Sequence, residues 1–205
     1  YFATFLQRAY DQLIHDVALQ NLPVVFCIDR AGLVGEDGAT HHGVFDMAFL
    51  RPIPNLIIAA PRNATELRHL LYTAQQPLEH PIAIRYPRGR CNEKHWQQPF
   101  RALPIGKGEQ LKEGSEIAVL TIGAIAEEVA EQIQKSTTAE KYAHYDMRFL
   151  KPLDEEMLHY IFQNYKKVIT VEEGAMGGLG SAIAEFATQH NYTIPLKIIT
   201  LPDVF

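Results

Sequence analysis

The sequence predicts an α/β protein built from two units, each with a mainly parallel sheet. Short apolar runs alternate with amphipathic helical segments along the chain, which is the pattern of a parallel sheet covered by helices. The apolar runs are bounded by Pro, Gly and charged residues, which mark their ends. Near the middle, residues 91–103 are polar and lack any period, so we expect a linker between a unit at 1–90 and a unit at 104–205.

The first unit opens with an amphipathic helix at 5–20, whose apolar side chains recur every three or four residues. The unbroken apolar run at 22–28 then predicts a strand buried on both faces of a sheet. The remaining predicted elements of this unit are a short helix at 45–50, a strand at 56–60, a helix that Asn63 caps with Glu66 three residues on, and a strand at 81–86.

The second unit repeats the alternation. Its predicted strands are 117–122, 143–147, 167–171 and 196–201, and its predicted helices are 125–134, 155–164 and 181–190. The glycine-rich turn at 174–181 stands where phosphate-binding loops occur, but it lacks the Lys of a P-loop, and we favour a structural turn. Glu172 and Glu173 just before it are either a functional pair or, as we prefer, a solvated or salt-bridged strand end.

Composition excludes several functional classes. The 205 residues are 47% hydrophobic, enough for a core, and their net charge of −5 argues against non-specific nucleic-acid binding, which needs clustered Lys and Arg. No apolar window reaches the length of a membrane span. Cys27, in a predicted buried strand, and Cys91, in the linker, form no disulfide framework, so we expect a reducing, cytoplasmic setting. Because the chain begins at Tyr1 without Met, we also expect a piece of a longer protein.

The candidate site is the loop at 29–46, which follows the first predicted strand. It holds four glycines, two histidines and charged residues that include Arg30 and Asp37, and ligands of open α/β sheets collect where strands end. A solvated surface loop is the alternative, but long ordered loops in compact domains are usually functional.

Two arginines follow predicted strand ends. Arg30 follows the first strand and Arg88 follows the third, so adjacent strands would bring both guanidinium groups to one crevice, where they suit a phosphate group. The alternative is that they simply pair with Asp29 or Asp37. The nine histidines show no metal-ligand spacing, and we predict no metal site formed by this chain alone.

Five runs of sequence resemble a known family. They are Thr-Phe-Leu-Gln-Arg-Ala-Tyr-Asp-Gln at 4–12, Gly-Glu-Asp-Gly-x-Thr-His at 35–41, Arg-Tyr-Pro-Arg-Gly at 85–89, Asp-Met-Arg-Phe-Leu-Lys-Pro-Leu-Asp at 146–154, and the Glu-Glu-Gly and Gly-Gly-x-Gly-Ser segments at 172–181. Together they resemble the 1-deoxy-D-xylulose-5-phosphate synthases, thiamine-diphosphate enzymes of the transketolase superfamily. Transketolases proper share the second run but not the first and third, so the synthases are the sharper match.

The resemblance implies a partial pyrimidine-binding domain at 1–90 and a truncated transketolase C-terminal domain at 104–205. It implies a transferase that condenses pyruvate with glyceraldehyde 3-phosphate, with loss of CO2, to a precursor of isoprenoids, thiamine and pyridoxal. Thiamine diphosphate and Mg²⁺ are the implied cofactors of an intact homodimer. The family's magnesium-diphosphate motif and its cofactor-activating Glu precede the aligned segment, so we expect the isolated chain to be inactive.

The resemblance also implies roles for single residues. Phe5 would lie against the aminopyrimidine ring and Arg8 would hold the cofactor end of the site. Arg30 and Arg88 would bind the phosphate of glyceraldehyde 3-phosphate. The two implied catalytic residues, which would face the substrate hydroxyl and carbonyl, are Asp37 and His41. His42 is expected to be structural, and Phe2 stands where the family usually has a Tyr.

Two other functions remain open. The chain is also compatible with another thiamine-diphosphate enzyme, either a transketolase or the β subunit of a 2-oxoacid dehydrogenase. A different class is a non-catalytic module that dimerises or binds a phosphorylated metabolite. The acceptor substrate that supports turnover in the full-length enzyme would distinguish a synthase from a transketolase or a dehydrogenase subunit. An upstream Gly-Asp-Gly…Asn segment in the same gene would exclude the non-catalytic module.

Overall fold

The computed structural model describes residues 1–90 and 97–205. The predicted features at 91–96, which include Cys91 and half of the predicted linker, lie outside the described residues. The described strands are β1 (Val25–Ile28), β2 (Ile57–Ala59), β3 (Ile82–Arg85), β4 (Glu109–Lys112), β5 (Ile117–Ile122), β6 (Tyr142–Asp146), β7 (Phe149–Lys151), β8 (Lys167–Glu172) and β9 (Leu196–Ile199). The fold is α/β with two mainly parallel sheets, as predicted.

The helices lie where the sequence predicts them, and most have the predicted length. They are α1 (Tyr10–Gln12), α2 (Asp46–Leu50), α3 (Ala64–Thr73), α4 (Ile125–Lys135), α5 (Glu155–Asn164) and α6 (Leu179–Gln189). The helix expected at 5–20 is a succession of three helix types, with a 3₁₀ segment at Ala3–Ala9 before α1 and a π segment at Leu13–Ala18 after it. The Asn63 side chain accepts a hydrogen bond from the Glu66 amide at 3.0 Å, which confirms the predicted cap of α3.

The first sheet has the strand order β1-β3-β2-β7. Its first three strands are parallel, and β7 pairs antiparallel with β2 although it belongs to the second half of the chain. The sequence did not predict β7, because a three-residue strand is too short to show a period. Its Phe149 is fully buried in the core of the first unit, so the two units share a sheet and a core.

Strand β1 differs from the prediction in its burial. It lies at an edge of the first sheet and, among the described residues, pairs with β3 alone. Val25 is 38% exposed and Cys27 is exposed as well, so the expectation of a strand buried on both faces, with a buried Cys27, is wrong. An apolar run cannot distinguish an edge strand from a central one, because only the tertiary neighbours differ.

The second sheet has the order β4-β6-β5-β8-β9, with β4 antiparallel and the other four strands parallel. Strand β4 was not predicted, since its sequence Glu-Gln-Leu-Lys carries no apolar alternation. In the described part of the chain, no helix is both long enough and apolar enough to cross a membrane.

Charged side chains hold the two units together at their junction. Arg148, just before β7, binds Glu66 on α3 through two hydrogen bonds of 2.8 and 3.0 Å. Arg62 binds Glu109 at 2.6 Å and Asp146 at 3.1 Å. Burial raises the pKa of Asp146 to about 6 despite these arginines. Buried charges are tolerated only when they are paired, so this network fixes how the two units meet.

A buried histidine in β6 gives the first testable prediction. Burial lowers the pKa of His144 to about 4, and its ring bonds the Thr121 hydroxyl at 2.9 Å. Because the folded-state pKa lies below the ordinary value of 6.5, the unfolded chain takes up the proton first as the pH falls. The stability that neutral His144 contributes is complete above pH 6.5 and is lost as the pH falls toward 4.

Between pH 7 and pH 4 we therefore expect the free energy of unfolding of the wild-type protein to fall by about 3 kcal/mol more than that of His144→Gln. Denaturant unfolding of both proteins at several pH values measures this, with the difference between their unfolding free energies as the quantity compared. A difference that stays constant over that range would show that His144 is not held in its neutral form.

Candidate functional site

The loop at 29–46 is an ordered structure with a closed neck. Gly32 and Gly43 exchange two backbone hydrogen bonds, of 2.8 and 2.9 Å, and the loop between them contains two 3₁₀ turns, Gly35–Asp37 and Ala39–His41. A side chain at Gly43 would collide with the carbonyl oxygen of Arg30, so the neck requires glycine there. The glycines that the sequence analysis noted therefore shape the loop.

The two predicted phosphate-binding arginines meet at one carboxylate. Strands β1 and β3 are parallel neighbours, so Arg30 and Arg88 leave the sheet at the same edge. Arg30 Nε lies 3.4 Å from one oxygen of Asp37, and Arg88 Nη1 lies 3.3 Å from the other. Arg30 also pairs with Asp29. Both alternatives from the sequence are thus present: the guanidinium groups share one crevice, and they pair with acidic neighbours.

Phe2 makes a contact with Arg30 that the sequence did not predict. The Arg30 guanidinium carbon lies 3.8 Å from the centre of the Phe2 ring, in a cation–π arrangement. Arg30 also adopts a positive φ of 61°, which turns the chain sharply after β1. The aromatic ring at position 2 therefore supports Arg30, a role that does not need the hydroxyl of the family's Tyr.

Phe5 and His41 lie side by side. The edge-to-face contact between their rings has a centroid distance of 5.4 Å, and Arg8 lies 5.3 Å from the Phe5 ring on the same 3₁₀ segment. The Thr4 hydroxyl donates to the Thr40 carbonyl at 3.3 Å, which ties this segment to the loop. Hence the structure brings the predicted cofactor residues next to a predicted catalytic residue.

His41 and His42 have different surroundings. His41 is partly exposed and its Nδ1 lies 2.9 Å from the Thr40 hydroxyl. His42 Nδ1 accepts the Val34 amide hydrogen bond at 3.2 Å, across the base of the loop. The His42 ring therefore ties the base of the loop together, which agrees with a structural role, while the His41 ring is partly exposed beside Phe5.

The site residues suit one end of thiamine diphosphate. A partly exposed Phe5 ring beside an imidazole offers stacking area to a heteroaromatic ring. Across residues 1–90 and 97–205, no group of three or more His, Cys, Asp or Glu side chains is placed to hold a metal ion. The described residues therefore fit the ring of the cofactor.

A cavity of about 860 Å³ lies beside Arg88, where the two units meet. The segments after β2 and β3 and the start of α4 line it, and its charged residues include Asp29, Arg62 and Arg90. This volume admits a phosphorylated metabolite. Arg62 was not singled out from the sequence, although it follows the end of β2 just as Arg30 and Arg88 follow their strands.

The glycine-rich turn before α6 is structural. The Glu172 carboxylate accepts hydrogen bonds from the amides of Leu179 and Gly180, at 2.9 and 2.8 Å, at the N-terminus of the helix. Burial raises the pKa of Glu172, against the effect of these two bonds. The preference for a solvated or salt-bridged strand end is wrong for Glu172, because this carboxylate is buried and occupies the place that a bound phosphate would take.

Comparison with known proteins gives matches over both units. The family model "Transketolase, pyrimidine binding domain" matches residues 1–94, and "Transketolase, C-terminal domain" matches residues 106–205. The chain is 55% identical over its full length to a 1-deoxy-D-xylulose-5-phosphate synthase of Bacteroides thetaiotaomicron, of which it covers 32%. It is 52% identical, over 98% of its length, to a synthase of the same name from Cytophaga hutchinsonii, again covering 32% of that protein.

Among solved structures, the chain is similar to one titled "Split gene transketolase, inactive beta4 tetramer". The TM-score is 0.84 at 31% sequence identity, over the whole of this chain and 66% of that chain. The chain spans about a third of the length of the curated relatives it matches.

Proposed function

This chain belongs to the transketolase family, and we propose that it is the C-terminal portion of a 1-deoxy-D-xylulose-5-phosphate synthase. The complete enzyme would condense pyruvate with glyceraldehyde 3-phosphate and release CO2. We place the pyrimidine-binding domain at 1–90 and the C-terminal domain at 104–205. We further propose a cytoplasmic homodimer that uses thiamine diphosphate and Mg²⁺, with the metal ligands outside this chain.

The observation that carries the proposal is the meeting of Arg30 and Arg88 at Asp37. Two guanidinium groups from adjacent strands bind the two oxygens of a single carboxylate, at 3.4 and 3.3 Å. A phosphate group offers more charge and one more oxygen than a carboxylate, so it competes effectively for the same pair. When phosphate takes the arginines, Asp37 is released to face the hydroxyl group of the same substrate.

The remaining predicted residues would act on the cofactor and the carbonyl. Thiamine diphosphate, when bound, supplies the chemistry that decarboxylates pyruvate and activates its remaining two carbons. Phe5 would stack on the cofactor ring and Arg8 would stay at that end of the site. His41, in edge contact with Phe5, would give a proton to the carbonyl oxygen of the acceptor.

A second candidate is an oligomeric subunit that is inactive without a partner chain. It is favoured by the similar solved structure, whose title describes a split-gene transketolase in an inactive tetrameric form. An isolated transketolase-type module would retain the fold and the arginine pair but lack the metal ligands. Such a chain would bind phosphorylated sugars without turning them over.

The arginine pair gives the second prediction. In the full-length enzyme, Arg30→Ala or Arg88→Ala removes a charge-assisted hydrogen bond worth about 1.5–3 kcal/mol. We expect kcat/KM for glyceraldehyde 3-phosphate to fall by roughly one to two orders of magnitude. Lys at either position restores only part of this loss, because it keeps the charge but not the planar fork. Steady-state kinetics with glyceraldehyde 3-phosphate and with unphosphorylated glyceraldehyde measures the effect.

Unphosphorylated glyceraldehyde is the control acceptor, and its kcat/KM should barely change in either variant. An equal loss for both acceptors would mean that the arginines hold the loop or the cofactor, and the phosphate site would be refuted.

The third prediction concerns His41. Replacing it with Ala in the full-length enzyme should lower kcat by roughly 100-fold, as the loss of a positioned acid or base does. The matched control is His42→Ala, which should lower the melting temperature more than the turnover. Unchanged kcat in His41→Ala, together with a lowered melting temperature, would show that His41 is structural.

The fourth prediction separates the chain from the complete enzyme. The 205-residue chain should bind thiamine diphosphate weakly even with Mg²⁺ present, because most of the cofactor's charge lies on the diphosphate and we propose that the metal ligands for it lie outside this chain. Titration calorimetry measures the affinity. A dissociation constant in the micromolar range for the chain alone would contradict the division of the site that we propose.

A further inference from the structure

A carboxylate of the second unit reaches the neck of the 29–46 loop. Oε1 of Glu173, which follows β8, accepts a hydrogen bond from the Leu33 amide at 3.0 Å. Leu33 is the first residue beyond the neck that Gly32 and Gly43 form. The contact therefore joins the C-terminal unit to the loop that carries Asp37 and His41.

The neck is shaped to receive this carboxylate. A Cβ atom on Gly32 would lie 2.7 Å from the Glu173 carboxyl carbon, so the side chain packs directly on the glycine backbone. Gly32 also has a φ of 83°, in the region that favours glycine. The neck therefore has both the space for the Glu173 side chain and the amide that binds its carboxylate.

The backbone of Glu173 is itself held in place by Arg85. Its backbone carbonyl accepts a bond of 3.5 Å from Arg85 Nη2, and Arg85 Nε bonds the buried carboxylate of Asp46 at 2.7 Å. Arg85 ends β3, three residues before Arg88, and Asp46 begins α2 at the end of the loop. The ion pair thus connects Glu173 to both segments that carry the predicted substrate-binding side chains.

We propose that Glu173 is a positioning residue that fixes the neck of the loop and thereby the placement of Asp37 between Arg30 and Arg88. Through this contact the C-terminal unit then influences the affinity for the phosphorylated acceptor. This inference rests on the proposed function for its effect on substrate, while the clamp itself rests on the contacts alone.

A matched control is available at the same junction. Glu185 on α6 forms a bidentate ion pair with Arg51 at 2.7 Å, which also links the two units but lies away from the neck. Glu185→Gln therefore weakens the junction without touching the loop. Glu173→Gln is the conservative variant, because its amide oxygen still accepts the Leu33 hydrogen bond, whereas Glu173→Ala cannot.

The direct test is amide hydrogen exchange in the full-length enzyme. We expect exchange at residues 33–42 to increase about tenfold in Glu173→Ala, with a smaller increase in Glu173→Gln and none in Glu185→Gln. Unchanged exchange in Glu173→Ala, or an equal increase in Glu185→Gln, would overturn the clamp.

Kinetics test its effect on substrate. In Glu173→Ala, KM for glyceraldehyde 3-phosphate should rise about tenfold while KM for pyruvate stays within about twofold, and Gln should recover most of the loss. A fall in kcat with unchanged KM would overturn the positioning role. If the wild-type enzyme does not use glyceraldehyde 3-phosphate, the proposed function fails, and hydrogen exchange still decides whether Glu173 holds the loop.

Discussion

The parallel pairing of β1 with β3 is the constraint on which the candidate site depends. Because Ile28 pairs with Arg85 in register, the segments that follow the two strands leave the sheet at the same edge. Arg30 and Arg88, 58 positions apart in the sequence, therefore reach the same carboxylate. A shift of one residue in this register would turn each following side chain to the opposite face and separate the pair.

Buried charge at the junction makes this arrangement specific. Arg148 pairs with Glu66 across the junction and Arg62 pairs there with Asp146, and in both pairs the carboxylate is nearly inaccessible to solvent. Removing one partner of such a pair leaves an unpaired buried charge, which costs about 3–5 kcal/mol. Misdocked units would leave these groups unpaired in the same way. The junction therefore favours one relative placement of the two units. The position of the loop at 29–46 depends on that placement.

Local patterns predicted most elements, and contacts between distant segments account for what they missed. The period of α5 and the Asn63 cap of α3 are encoded within a few residues, so the sequence was sufficient for them. The pairing of β7 with β2 depends on a partner about 90 residues away and left no local signal. Arg30 and Arg88 were identifiable because residues after parallel strands share an edge, whereas the bond from Leu33 to Glu173 has no counterpart in any motif.

The most direct test of the account is a crystal structure of the full-length enzyme with glyceraldehyde 3-phosphate bound. We predict the phosphate group between Arg30 and Arg88, within hydrogen-bonding distance of both, with the Asp37 carboxylate displaced from them toward a substrate hydroxyl. A phosphate bound elsewhere, with both arginines still paired to Asp37, would contradict it.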